Sequence, residues 1–248
     1  MRSLCCLILL AASAAQAQDL ADTCGASSSY DLTLAPDHLL FDRAAPAPRR
    51  VELRDGKLDL DGKPLRLNAE QVDRLALFEH DLRALAPKAK AVARDGVDLA
   101  AQALRAEAKG LQLGADTQAR LDATLDARSA ELKRRVDAST STHDWQDEAF
   151  ERWADQIAAE LLPLIAADLG AQALDAASSG DLQTAASLRD RAADLAGDLR
   201  PRLERRLQAL KPRIAALCPS IRHLYELQQG VRGANGRTLD LLELDGAR

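Results

Sequence analysis

Aromatic side chains are scarce: the chain carries 2 Trp, 2 Tyr and 3 Phe, 3% of its residues. Few large rings are therefore on hand to line a ligand pocket or to stack on bases. Ala and Leu dominate instead, and helices with such seams pack closely and leave little cavity. Catalytic signatures are missing as well. There is no G-x-S-x-G elbow, no C-x-x-C pair and no Gly-rich loop followed by Lys-Ser/Thr, the arrangements that expose a serine nucleophile, run dithiol chemistry or cradle a phosphate. Ser178-Ser179-Gly180 and Gly230–Gly236 (GVRGANG) contain glycine but lack the lysine and the strand–turn–helix setting. No cofactor is implied.

An excess of positive charge is also absent. Lys and Arg number 33 against 38 Asp and Glu, a formal charge of −5. That argues against a general attraction to nucleic acid or to anionic lipid, both of which need a net or clustered positive field. Arg far outnumbers Lys, and the small cluster Arg202, Arg205 and Arg206 reads as a solvated helix face among acidic residues. The four histidines, His38, His80, His143 and His223, do not fall at metal-ligand spacings. His80 and His143 precede aspartates directly, and sequence neighbours on a helix do not face each other. Each is read as a surface helical residue, and no metal site is expected.

What the chain does have begins at its first residues. Arg2 supplies a positive n-region, Leu4–Ala12 (LCCLILLAA) an apolar h-region, and Ala15-Gln16-Ala17 a small-x-small cleavage site. The h-region is too short to cross a ~30 Å hydrocarbon core. Residues 1–17 are therefore read as a cleaved signal peptide with Gln18 as the new N-terminus, and the destination as the periplasm. A buried N-terminal helix is the alternative. Loss of Arg2 takes the formal charge to −6. No later stretch approaches eighteen consecutive apolar residues, so no stable membrane anchor is expected after processing.

Cleavage also removes Cys5 and Cys6, leaving Cys24 and Cys218. In an oxidising compartment an even pair reads as a disulfide, with two buried thiols as the alternative. Closing so long a loop is worth roughly 5 kcal/mol at the upper end of the chain-entropy model.

Along the mature chain the hydrophobic period changes once. Tyr30, Leu32 and Leu34, Val51 and Leu53, Leu58 and Leu60, and Leu65 and Leu67 alternate with polar residues, the period of strands. Asp55-Gly56 and Asp61-Gly62 stand between runs and supply the left-handed residues of tight hairpins. A small antiparallel meander is expected over 30–67, with the Pro-interrupted 44–50 as a connection. At Asn68 the period becomes helical. Asn68 and Gln71 form a capping box, and Val72, Leu75, Phe78, Leu82 and Leu85 share one face. Pro87 is expected to end this helix and open a second over 88–109, with a third at 115–138 on a seam of Leu121, Leu125, Leu132 and Val136.

Ser139–Thr142 read as cap-forming residues for a fourth helix carrying Trp145, Trp153, Ile157, Leu161 and Ile165, which Pro163 kinks. Residues 177–180 break the pattern. Beyond them a helical region with Leu188, Leu195, Leu199, Leu210, Ile214, Leu217 and Ile221 is segmented by Pro201, Pro212 and Pro219. Asn235-Gly236 is a turn signal, and Thr238–Leu244 (TLDLLEL) reads as a strand that extends the N-terminal sheet, with a frayed tail as the alternative. The fold class is thus α+β and predominantly α: an N-terminal antiparallel meander, an elongated bundle of about five helices, and a C-terminal strand. Residues 18–248 form one mature domain (30–67 meander, 68–225 bundle, 226–248 extension).

The stretch from Asp55 to Pro87 (DGKLDLDGKPLRLNAEQVDRLALFEHDLRALAP) resembles the YggN-like family of uncharacterised periplasmic proteins of Gram-negative bacteria. Asp55-Gly56, Gly62, Leu67, Gln71, Phe78, Leu82-Arg83 and Pro87 carry the resemblance, and the positions of Cys24 and Cys218 fit the family pattern. It is clearest over about 24–110, and 226–248 look like an extension relative to shorter members. The resemblance implies a periplasmic compartment and the Cys24–Cys218 disulfide, and it transfers no catalytic residue. Three function classes follow: a non-enzymatic envelope factor that presents helical faces to another protein or to itself; a carrier or chaperone for apolar ligands or unfolded clients; and, with least support, a hydrolase.

Overall fold

The computed structural model describes residues 23–145, 147–233, 236 and 238–245. The signal-peptide reading with its Ala17–Gln18 boundary, and the Asn235 half of the turn signal, lie outside the described residues. So do the side chains of Trp153, Leu195 and Leu199. The chain divides into two compact units. A sheet unit holds the described residues up to Val92, Ala138–Ala149 and the described residues from Lys211 onwards. A helix unit holds Ala93–Asp137 and Phe150–Leu210.

The sheet unit opens with β1 (Ala26–Ser27), followed by the meander β2 (Asp31–Leu34), β3 (Leu39–Asp42), β4 (Arg50–Arg54), β5 (Lys57–Leu60) and β6 (Lys63–Pro64). The five meander strands pair in sequence order, all antiparallel. Both Asp-Gly dipeptides form two-residue hairpins, with Asp55, Gly56, Asp61 and Gly62 all at φ between 49 and 76°. Such turns match the right-handed twist of the flanking strands. Pairing places Leu39 opposite Leu53, Phe41 opposite Val51 and Leu53 opposite Leu58, so these five side chains share one buried face. Leu65 and Leu67 are half-buried beyond the short β6 and are not part of the ladder.

Helix α1 (Ala69–Gly110) begins at the expected capping box: Asn68 Oδ1 accepts from Gln71 N at 2.8 Å, and Gln71 Oε1 accepts from Asn68 N at 3.2 Å. Pro87 does not end it. The ring removes one backbone donor, a cost of about 3 kcal/mol in a helix interior. A continuous apolar stripe offsets it, with Leu82 and Leu85 buried before the proline and Val97 and Ala101 after it. Helix α1 thus runs from the sheet unit into the helix unit. In the sheet unit its residues Leu75 and Phe78, both fully buried, meet the meander's inner face. Helix α6 (Cys218–Gln229) adds Ile221, Leu224 and Leu227 to this core, and Val231, Leu239 and Leu241 close it. Phe41 is central, 6.4 Å edge-on from Tyr30 and 6.2 Å from Phe78.

The first hairpin is fitted to the start of α1. A Cβ on Gly56 would sit 2.4 Å from the carbonyl oxygen of Val72, whereas one on Gly62 would meet nothing within 4 Å. Both glycines are left-handed, a conformation costing an L residue about 1–2 kcal/mol. Gly62→Ala should therefore lose about 1 kcal/mol of stability, and Gly56→Ala at least about twice that, because a backbone carbonyl must also move. Urea denaturation of the two variants checks this; equal losses would contradict the packing of hairpin on helix.

Ser139–Thr142 do something other than start a helix. Leu34 N donates to Thr140 O at 2.7 Å, Leu32 N to Thr142 Oγ1 at 2.9 Å, and Thr33 and Ser141 form an isolated bridge. The segment therefore covers the outer edge of β2, whose exposed donors would otherwise invite pairing with another chain. Asp144 accepts from Thr140 N and Ser141 N and fixes the turn. Trp145 ends a 3₁₀ turn (Thr142–Trp145) with its side chain at the surface rather than in a helix seam.

The helix unit contains the second part of α1, α2 (Ala115–Ala138, within a residue of the unit boundary), α3 (Asp147–Ser178) and α4 (Leu182–Leu207). Its core joins Ala108, Leu121, Leu125, Ile157 and Leu161, with Leu104, Leu113, Leu164 and Ile165 packed against it. Pro163 and Pro201 lie inside helices without ending them. Pro212 and Pro219 fall in the first turns of α5 (Lys211–Ala215) and α6, where the missing donor costs nothing.

The C-terminus turns back as expected but does not extend the meander. Only β7 (Glu243–Leu244) is strand, and it pairs antiparallel with β1 in a separate two-stranded sheet. Leu239 and Leu241 are drawn into the core, which leaves the last residues alone free to pair.

Candidate functional site

Two places in the described residues have the shape of a site: a cleft beside the C-terminal strand and the uncovered face of α3. The cleft is about 500 Å³ and is lined by Tyr225, Gln228 and Gln229 of α6 and by residues between Thr238 and Asp245. Its organising residue is Gln228, fully buried. The Gln228 amide donates to Leu242 O, while its Oε1 accepts from Leu242 N at 2.9 Å. A side-chain amide thus reproduces both bonds of a strand neighbour and holds the tail on α6. Gln228→Leu keeps the volume but leaves both Leu242 groups unpaired, at about 1–3 kcal/mol each when buried. Hydrogen exchange at 239–245 should then accelerate at least tenfold; unchanged protection would show that the tail is held otherwise.

The sequence-predicted residues lie as follows. Cys24 and Cys218 form a disulfide with a Cα–Cα distance of 5.2 Å, tying the segment before β1 to the first residue of α6. His80 and His223 are exposed on helices, as read from sequence. His38 instead lies just before β3, with Nδ1 2.8 Å from Asp37, and that contact holds the Asp37 carboxyl below the usual range. His143 lies in the 3₁₀ turn, 3.5 Å from Asp31 and 3.3 Å from Asp42. Neither is on an α-helix, because strands and an edge-covering turn occupy those positions. Among the described residues no group of three or more His, Cys, Asp or Glu is arranged to hold a metal ion. Arg202 is not simply solvated: it donates to Glu107 at 2.9 Å, Arg206 approaches the same carboxylate at 3.9 Å, and Glu107 is largely buried.

The face of α3 was missed in the sequence. Ile157, Leu161 and Leu169 are buried and Leu164 and Ile165 partly so, and this inner side is the one the apolar spacing identified. The opposite side is apolar as well. Ala159, Leu162, Ala166, Gly170, Leu174 and Ala177 are all exposed, Leu162 by 53% and Leu174 by 74%. Their spacings are three, four, four, four and three, which keeps them on one line along a helix. Gln156–Ser178 is long and apolar enough to cross a membrane by length and composition, yet only 17% of its most apolar eighteen-residue window is buried. Composition could have shown this; a search for consecutive apolar residues could not, because Glu160, Asp168 and Asp175 interrupt the run.

Two of those carboxylates are committed elsewhere. Glu160 pairs with Arg128. Asp168 accepts from Gly114 N at 3.0 Å, Thr117 Oγ1 at 2.9 Å and Gln172 Nε2 at 2.7 Å, capping the start of α2. The Gly114 amide, then the other two donors, hold the Asp168 carboxyl below the usual range and keep it ionised. Charge is thereby placed off the outer line, and that line is a neutral strip. Chemically it offers no nucleophile, acid or base; it can only exclude water against another surface.

A protein-family model described as "Protein of unknown function (DUF2884)" matches residues 24–235, which include Cys24 and Cys218, the meander and helices α1 to α6. The chain belongs to this family. No curated protein and no solved structure matches it. The DUF2884 match starts at Cys24 and ends between α6 and β7. Both units are therefore part of the DUF2884 region, whereas β7 and the tail segment held by Gln228 lie beyond it.

Proposed function

We propose that this protein is an exported, non-enzymatic interaction factor of the periplasm that docks another protein surface on the outer face of α3. The observation that carries the reading is the uncovered apolar line from Ala159 to Ala177. A helix that is apolar all round belongs in a core or against another apolar surface, and exposed patches of that kind mark interaction sites. The Arg2–Ala17 signal-peptide pattern and a disulfide suited to an oxidising compartment support the location. The cleft is less apt for an apolar cargo, since Asp240, Glu243, Asp245 and two glutamines share its walls.

A photo-crosslinking residue at Leu174, expressed in cells and compared with one at exposed Lys63 in the sheet unit, tests the proposal. Discrete adducts in the periplasmic fraction from position 174 and none from position 63 are expected. Equal adducts, or a cytoplasmic pool with no adduct at 174, would overturn it.

A further inference from the structure

We propose that the groove between residues 24–30 and α6 is a peptide-binding site, filled here by the chain's own tail, that accepts from a partner protein a segment of the pattern Leu-acid-Leu-Leu. It belongs to the sheet unit and is independent of the α3 face. The tail is gripped through its main chain. Gln228 bonds both the N–H and the C=O of Leu242, Ser28 Oγ donates to Leu241 O at 2.8 Å, and Gly25 O accepts from Asp245 N at 2.7 Å. Strand β1 adds the pairing of Ala26 with Leu244 and Ser27 with Glu243. Contacts of this kind read a backbone, and by them an exposed strand edge takes up a peptide. Side chains then set the pattern. Leu239 and Leu241 enter the core, at 4% and 0% exposure. Between them Asp240 meets a cation: Arg43 lies 3.8 Å away, its side chain 6% exposed. Other groups hold Arg43 there, with its guanidinium 3.9 Å over the Tyr30 ring and bonded to Pro46 O, Pro48 O and Ser29 Oγ. A nearly buried positive charge at that point favours an acidic residue and opposes a basic one.

The walls are held by contacts that do not involve the tail. Cys24 is bonded to Cys218 at the start of α6, and Tyr30 is buried with its hydroxyl donating to Pro48 O at 3.0 Å. Both ends of the 24–30 strap are therefore fixed, and Ile221 and Leu224 hold α6 on the meander core. A groove ordered in advance loses little binding free energy to its own ordering. The walls also lie inside the DUF2884 region, whereas the segment that fills them lies beyond it. An attached tail acts at an effective concentration on the order of millimolar. The intact chain thus keeps the site shut against weak peptides, and a partner enters by binding more tightly or by being held nearby.

Cutting the tail free while it is seated tests this. A protease site placed between Gly233 and Gly236 of the full oxidised chain is cleaved after folding. The cut protein should keep its circular dichroism and exchange its tail for a fluorescent synthetic peptide of residues 238–245 (TLDLLELD). A peptide carrying Asp240→Lys should bind at least about tenfold more weakly, and a scrambled one should not bind. Gln228→Leu in the protein should weaken TLDLLELD about tenfold or more, because both Leu242 groups lose their partner. Uncut protein should take up the peptide at least about a hundredfold less well. A tail that excess peptide cannot replace, or loss of the fold on cutting, would make 238–245 a fixed part of the core and overturn the proposal. Equal binding of the lysine peptide or of the scrambled one would overturn it as well, since the groove would then select no pattern.

Discussion

Replacing Cys24 and Cys218 by serine should lower the free energy of unfolding by about 3–5 kcal/mol, near the top of the range for a single disulfide. The bond joins residues 194 apart in sequence, so the reduced unfolded chain regains the freedom of a very long loop, the term that grows with loop length. The folded state loses something as well. Gly25 O accepts from Asp245 N at 2.7 Å, and among the described residues β1 pairs with β7 alone, so the tether keeps this two-residue ladder assembled. Loss should appear first as exchange in β1 and β7. Urea unfolding with and without reductant measures it, and a midpoint that reductant leaves unmoved would contradict this role. An unpaired Cys218 thiol, 5% exposed, would also add weak reactivity toward alkylating reagents after reduction.

Phe78→Ala should cost a further 3–5 kcal/mol, about the usual loss when a buried phenylalanine is cut to alanine. Its ring is fully buried, 6.2 Å from Phe41, in a core where rings are few and leucines surround them. With 3 Phe in the whole chain, no second ring stands ready to fill the void. Its neighbour Leu77, 43% exposed, provides the control, since surface changes are usually within about 0.5 kcal/mol. Thermal melts of the two variants should differ by many degrees; equal melts would mean that the α1-to-meander packing does not hold the sheet unit together.

Local chemistry was legible in the sequence wherever a few adjacent residues decide the outcome. The Asp55-Gly56 and Asp61-Gly62 turns need only left-handed backbone. The Asn68–Gln71 box needs only two side chains and two amides, and the 115–138 helix only its own periodicity. The Cys24–Cys218 bond was legible because, once Cys5 and Cys6 are set aside with residues 1–17, the two cysteines left admit one pairing. What failed depended on distant partners. Pro87 was read as a stop because its local penalty is visible, whereas the stripe that offsets it is buried against residues as far away as Val51 and Ile221. Ser139–Thr142 look like caps, and the unpaired edge of β2 that recruits them is about a hundred residues earlier. Gln228 gives no sign in sequence that it holds the tail. The outer line of α3 was hidden by its own regularity, since an apolar helix in a helical protein is expected to be covered from all sides.

Whether that line is covered in the working protein is the central question, and the alkylation rate of Ala166→Cys answers it most directly. Cys24 and Cys218 are bonded to each other, so in protein prepared from Gln18 onward, which lacks Cys5 and Cys6, a charged maleimide reports position 166 alone. Labelling should be slower in intact cells, where the docked partner covers the face, than in purified protein, and adding Gly170→Glu should restore the fast rate in cells. One fast rate in purified protein and in intact cells alike would contradict the account.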